Sequence, residues 1–164
     1  MSKPFHSFRK KWGQNFLNDT NLLNKIVKVI SPHTKDSILE IGAGDGALTE
    51  YILEKTQNLT AYEIDKGLVD LLSKKFEEHN ASFINKDFLE IDLSQINQSP
   101  LIIMGNLPYN VSSQIILNIL ESDIEYEHCV FLIQKELAYR FRPKNKSSKI
   151  SLIAELFCDF EILF

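Results

Sequence analysis

The stretch that decides the fold is SILEIGAGDGALTEYILEK, residues 37–55. It reads as a short buried strand, a tight turn punctuated by Gly42, Gly44 and Gly46, and then a helix. A strand that feeds a helix through a glycine turn is the repeating unit of an open parallel sheet. The segments around it repeat the alternation. LTAYEID gives a second strand and GLVDLLSKKFEEH a helix; ASFINKDF is a third strand and LIIMGN a fourth. VSSQIILNILES is helical, CVFLIQ is a fifth strand, and KELAYRF is helix-like. Upstream, Asp19 is placed to cap a helix whose stripe is Leu22, Leu23, Ile26, Val27 and Ile30, ended by Pro32. The expected fold is α/β, Rossmann-like, with a mostly parallel central sheet and helices on both faces.

The last segment, SLIAELFCDFEILF, reads as a helix passing into a sixth strand. The sequence stops on Phe164 in an apolar run, an arrangement that leaves a sheet edge open to association. The protein is therefore expected to continue past this point. Residues 1–18 are read as a basic arm and 19–164 as one domain.

Composition narrows the class. The 164 residues are 44% hydrophobic and 24% charged, which suits one folded domain and argues against extensive disorder. No apolar run approaches the roughly 20 residues of a membrane span, and the N-terminus lacks the apolar core of a secretory signal. Cys129 and Cys158 lie in apolar contexts without metal spacing, as reduced thiols of a cytoplasmic protein would. His6, His33, His79 and His128 show no ligand spacing either, so no metal is expected. The net charge of −4 hides two basic segments. Lys3, Arg9, Lys10 and Lys11 crowd the first twelve residues without an acid, and Lys135, Arg140, Arg142, Lys144, Lys146 and Lys149 face only Glu136. Such segments can steer a polyanion, although solvated surface would look the same.

Ligands of open parallel sheets bind beyond the carboxyl ends of the strands. After the first strand, the G-x-G-x-G spacing of Gly42, Gly44 and Gly46 departs from the G-x-G-x-x-G of pyrophosphate-binding turns. It is the form associated with S-adenosylmethionine, which has no phosphate; a purely structural turn competes with this. Glu63, ending the second strand, stands where an acid accepts hydrogen bonds from ribose hydroxyls. Asp65 divides that assignment but also fits as the cap of the next helix. Asp87 can accept from an adenine amino group and Phe88 can pack on the ring, unless both are ordinary loop and core. Together the three strand ends favour an adenosine-bearing cofactor.

The fourth strand ends oddly, in GNLPYN, residues 105–110. With KKWGQNFLND at the start, this motif resembles the ribosomal RNA adenine dimethyltransferase family. GQNFL, EIGAGDGALT, YEID, KDF, GNLPYN and LIQKELAYR occur in that family's order over nearly the whole chain. The first and fifth of these motifs are specific, whereas the glycine loop is shared by many methyltransferases. Leucine at 107 is similar to the housekeeping branch, which dimethylates two adjacent adenosines of small-subunit ribosomal RNA. The resistance branch, acting on one large-subunit adenosine, more often has isoleucine there. A ribosome-assembly factor that binds RNA with the same fold is the remaining alternative.

The resemblance implies a site residue by residue. Asn15 and Leu17 would close over S-adenosylmethionine with Gln14 nearby, and Gly42, Ala43 and Gly44 would pass beneath its methionine moiety. Glu63 and Ile64 would hold the ribose, Asp87 and Phe88 the adenine, and Asn106 the region of the reactive methyl, leaving S-adenosylhomocysteine as product. Asn106, Leu107, Pro108 and Tyr109 would meet the target adenine, with Lys10, Lys11, Arg140, Arg142 and Lys144 on the RNA. The partners implied are small-subunit ribosomal RNA and the small subunit, the protein acting as a monomer away from membranes. The chain reads SSKIS where the family usually has a tyrosine–glycine pair before the last helix, and the resemblance also implies a final strand and C-terminal helical domain that are absent from this sequence.

Overall fold

Asp19 opens the first helix as expected. Its side chain accepts hydrogen bonds from the backbone N–H groups of Asn21 and Leu22, and helix α1 runs Thr20–Ile30 in the computed structural model, which describes residues 19–97, 101–142 and 149–164. The chain then alternates as its pattern requires: β1 Ser37–Ile41, α2 Ala47–Leu53, β2 Asn58–Glu63, α3 Lys66–Lys75, β3 Ala81–Asn85 and β4 Leu101–Asn106. After β4 come α4 Ser112–Leu120, β5 His128–Leu132, α5 Lys135–Phe141 and α6 Lys149–Phe157. The third strand is shorter than its sequence suggested, because Asp87 caps a 3₁₀ turn over Phe88–Glu90.

The sheet has five strands in the order β3-β2-β1-β4-β5, and every pairing is parallel. Period-two alternation divides the central strands between two cores. Ile38, Ile102 and Met104 pack with Leu23, Ile26 and Ile30 of α1, Ile52 of α2 and Leu72 of α3. Leu39, Ile41, Leu101 and Ile103 face the other way, against α4, Phe141 of α5 and α6. Full burial of each such side chain contributes about 1.5–3 kcal/mol, so both faces must be covered for the strands to persist. Among the described residues no helix is long and apolar enough to cross a membrane.

The expected sixth strand does not form. Residues 158–164 are described and are not in the sheet, which ends at β5. An extended segment gains ladder hydrogen bonds only beside another strand. This one instead packs through side chains, with Phe160 stacked on Phe141 at 5.6 Å between ring centroids. Phe164 lies by α1, with Lys25 Nζ 6.0 Å from its ring centroid.

Removing the helix cap tests the first of these assignments. Asp19→Ala is expected to lower the unfolding free energy by about 1 kcal/mol, read from the urea midpoint at unchanged slope.

Candidate functional site

Strand order reverses between β1 and β4, because the chain first builds outward to β3 and then returns to the far side of β1. The loops leaving β1 and β4 therefore diverge and open a cleft at the carboxyl end of the sheet. Gly42 begins one loop at φ +72, followed by Gly44 at +60 and Gly46 at +82, all left-handed values that favour glycine. The N–H of Gly42 donates to the Tyr62 carbonyl at 2.8 Å, which ties the turn to the end of β2. A Cβ placed on Gly42 would stand 3.9 Å from the Asn106 carbonyl oxygen and 4.0 Å from Pro108 Cδ. The glycine turn and the Asn-Leu-Pro-Tyr turn are thus neighbours in space.

The second turn is rigidly seated. Leu107 is buried, and its N–H donates to the Leu132 carbonyl at 3.1 Å, extending the β4–β5 ladder. The Pro108 carbonyl accepts from the N–H groups of Val111 and Ser112. The hydroxyl of Ser112, fully buried, donates to the Pro108 carbonyl at 3.0 Å and to that of Tyr109 at 3.3 Å. Tyr109 itself is 47% exposed and lines the cleft. Gly105 is required just before the turn, since a Cβ there would strike the Ile41 carbonyl oxygen.

Two carboxylates at the ends of β2 and β3 complete the cleft. Glu63 is buried, and both its oxygens are held by backbone: Gly44 N–H donates to Oε2 and Asp65 N–H to Oε1, each at 3.0 Å. Burial pushes its carboxyl above the usual range, and the Asp65 and Gly44 N–H groups oppose that rise. The competing acid, Asp65, caps α3 by accepting from Gly67 and Leu68 N–H. That geometry leaves Glu63 as the acid facing the cleft. Asp87 Oδ1 accepts from Leu89 N–H while the residue lines the cleft, and Phe88 is a core side chain set edge-on to Tyr62 at 5.8 Å. Ala43 and Ile64 line the same cleft, Ala43 buried and Ile64 exposed. Acceptors on two adjacent strand ends, with apolar surface between them, suit the ribose and base of an adenosine.

Gln14, Asn15, Leu17, Lys10, Lys11 and Lys144 lie outside the described residues. Arg140 is exposed on α5 and Arg142 at its C-cap, with Arg142 Cζ 4.9 Å from the ring centroid of Tyr139. The sequence alone assigns no role to Glu40, a glutamate of β1 that is 1% exposed and accepts from Thr49 Oγ1 at 2.7 Å. Burial pushes its carboxyl up to about 7, with Thr49 opposing and the nearby Glu63 charge adding. Among the described residues no group of three or more His, Cys, Asp or Glu side chains is arranged to hold a metal ion.

Residues 5–164 match the model of a family described as ribosomal RNA adenine dimethylase. The chain is 38% identical over 161 residues to the ribosomal RNA small subunit methyltransferase A of Coxiella burnetii, covering 95% of this chain and 62% of that relative. The chain thus spans less than two thirds of that curated relative's length. In structure it is similar to the 23S rRNA methyltransferase ErmE, at TM-score 0.70 and 30% identity over 80% of this chain and 52% of that one. A dimethyladenosine transferase from Plasmodium falciparum shares the fold at TM-score 0.77 and 24% identity, over 88% and 54% of the two chains.

The buried Glu40 carries a pH signature. Its folded pKa of about 7 lies above the ordinary 4.5, so the folded state holds the extra proton between those values. The resulting contribution is full below pH 4.5 and is lost as pH rises through 7. Urea unfolding across this range is expected to show a fall to which Glu40 contributes on the order of 3 kcal/mol, a share that Glu40→Gln removes.

Proposed function

The chain belongs to the ribosomal RNA adenine dimethylase family, and we propose that it carries the catalytic part of an enzyme that dimethylates two adjacent adenosines of small-subunit ribosomal RNA. The observation that carries this reading is the contact between the glycine turn at Gly42 and the turn at Asn106 and Pro108. A methyl donor held over the first turn lies beside a base presented at the second. The name of the Coxiella burnetii relative favours the small subunit. The likeness to ErmE supports a second reading, methylation of a large-subunit adenosine. Leucine rather than isoleucine at 107 weighs toward the first.

S-adenosylmethionine supplies a methyl group on a sulfonium sulfur, already activated for transfer. Glu63 holds its ribose and Asp87 its adenine, with Ile64 and Phe88 beside them, while Gly42, Ala43 and Gly44 allow close backbone approach beneath the methionine moiety. Residues 1–18 act as an arm, and Gln14, Asn15 and Leu17 close over this cofactor, with residues 19–164 as the methyltransferase domain. The exocyclic nitrogen of adenine is a weak nucleophile because its lone pair is delocalised into the ring. Asn106 and the Leu107 carbonyl accept its amino protons, which favours a pyramidal nitrogen and stabilises the charge developing there. Pro108 fixes the backbone that aims this carbonyl. Tyr109 stacks on the extruded or unpaired base, worth about 1–3 kcal/mol. Seating both partners in one cleft supplies the in-line orientation. Lys10, Lys11, Arg140, Arg142 and Lys144 meet the phosphates, and the protein works as a cytoplasmic monomer on the small subunit.

Incubating the protein with unmodified small subunits and, in parallel, with unmodified large subunits, each with labelled S-adenosylmethionine, then mapping the product, tests the reading. Two adjacent dimethylated adenosines are expected; label confined to large subunits would replace it with the second reading. Asn106→Ala is expected to lower kcat by about 10²–10³-fold with an unchanged melting temperature, and wild-type turnover would remove Asn106 from the reaction. Arg140→Gln with Arg142→Gln is expected to weaken RNA binding and reduce the slope of log Kd against log salt by about 1 per lost phosphate contact.

A further inference from the structure

We propose that Asn85 is a positioning residue for the adenosine half of the cleft, its side-chain amide latching the end of β2 to the end of β3. The inference rests on the cofactor reading above. The β2–β3 backbone ladder ends at the pair Glu63–Asn85. Beyond it the Asn85 Nδ2 donates to the Glu63 carbonyl at 3.0 Å and to the Ile64 carbonyl at 3.0 Å. The Lys86 N–H donates to the same Glu63 carbonyl at 3.2 Å. The side chain therefore prolongs the ladder by one residue, to an Ile64 carbonyl that no backbone N–H among the described residues reaches. Two carbonyl oxygens facing one amide also decide its orientation, since the amide oxygen turned toward them would be repelled.

The position matters because β3 is the edge of the sheet, with no strand beyond it to hold its end. Glu63 and Ile64 sit on one side of the latch and Asp87 two residues along on the other. A ligand that spans ribose and base must satisfy both ends at once, so a loosened β3 end costs affinity without touching either acid. Neither the sequence pattern nor the family resemblance singles out this asparagine.

The test is isothermal titration of S-adenosylhomocysteine into the 164-residue chain and its Asn85→Ala and Asn85→Asp variants from pH 5 to 8, with thermal melts of each. Asn85→Ala is expected to raise Kd three- to tenfold over wild type at every pH. Asn85→Asp presents a carboxylate to two carbonyl oxygens, so its Kd ratio to wild type is expected to exceed that of alanine at pH 8. The ratio should fall toward one as pH drops, because a protonated carboxyl can again donate. Glu63 and Asp65 at the end of β2, Lys66 opening α3, and Lys86 and Asp87 beside the latch are common to all three proteins, so the ratio isolates position 85. Both variants binding within twofold of wild type, or weakening alike with a pH-independent ratio, would overturn the latch. If Asn85→Ala does not fold, the pH dependence of Asn85→Asp decides alone. A wild-type chain that does not bind overturns the cofactor reading and the latch with it.

Discussion

The parallel pairing of β1 with β4 is the constraint on which the molecule depends. These strands are far apart in sequence, yet they lie side by side at the centre of the sheet, in register from Ser37–Leu101 to Glu40–Met104. Ladder pairing stops just before Ile41 and Gly105, and the missing side chain of Gly105 lets the backbones stay close at that point. From there the chain has two exits, one into the glycine turn and one into Asn106 and Pro108. The helices divide between opposite faces of the sheet, α1 to α3 on one and α4 to α6 on the other. The cleft is thus a consequence of topology before any side chain is specified.

Within that frame, polar groups are buried selectively. An ionised carboxylate in an apolar interior is costly unless hydrogen-bonded. Glu63 meets this by accepting from two backbone N–H groups, which keeps the acid oriented at the cleft. Glu40 meets it with Thr49 and a raised pKa, joining β1 to α2 directly below the glycine turn. Ser112 does the corresponding work for the other turn, satisfying two carbonyls from a fully buried hydroxyl. The glycine turn is therefore braced by Glu63 and the Asn-Leu-Pro-Tyr turn by Ser112.

Much of this was legible in the sequence, for identifiable reasons. Short apolar runs such as Ile38–Ile41 and Leu101–Met104, separated by helical stripes, specify the alternation because periods of 2 and 3.6 are distinct. Asp19 and Asp65 were readable as caps because capping depends on local geometry. Because Asp65 reads as a cap, the sequence already favours Glu63 for the ribose, and the coordinates add that Gly44 N–H donates to the Glu63 carboxylate. The segment after α6 misled because its apolar pattern fits a strand, whereas strand formation needs a partner that pattern cannot report. Asn85, Ser112 and Glu40 were invisible for a related reason: their partners lie on other elements, and a single polar residue carries no periodicity.

The central claim is that one cleft seats a cofactor along Glu63 and Asp87 with its reactive end at Asn106. A crystal structure of the chain with S-adenosylhomocysteine tests this most directly. The account predicts ribose hydroxyls on the Glu63 carboxylate, the adenine amino group at Asp87, and the sulfur toward Asn106 and Pro108. A ligand seated elsewhere, or reversed with its adenine at Asn106, would contradict it.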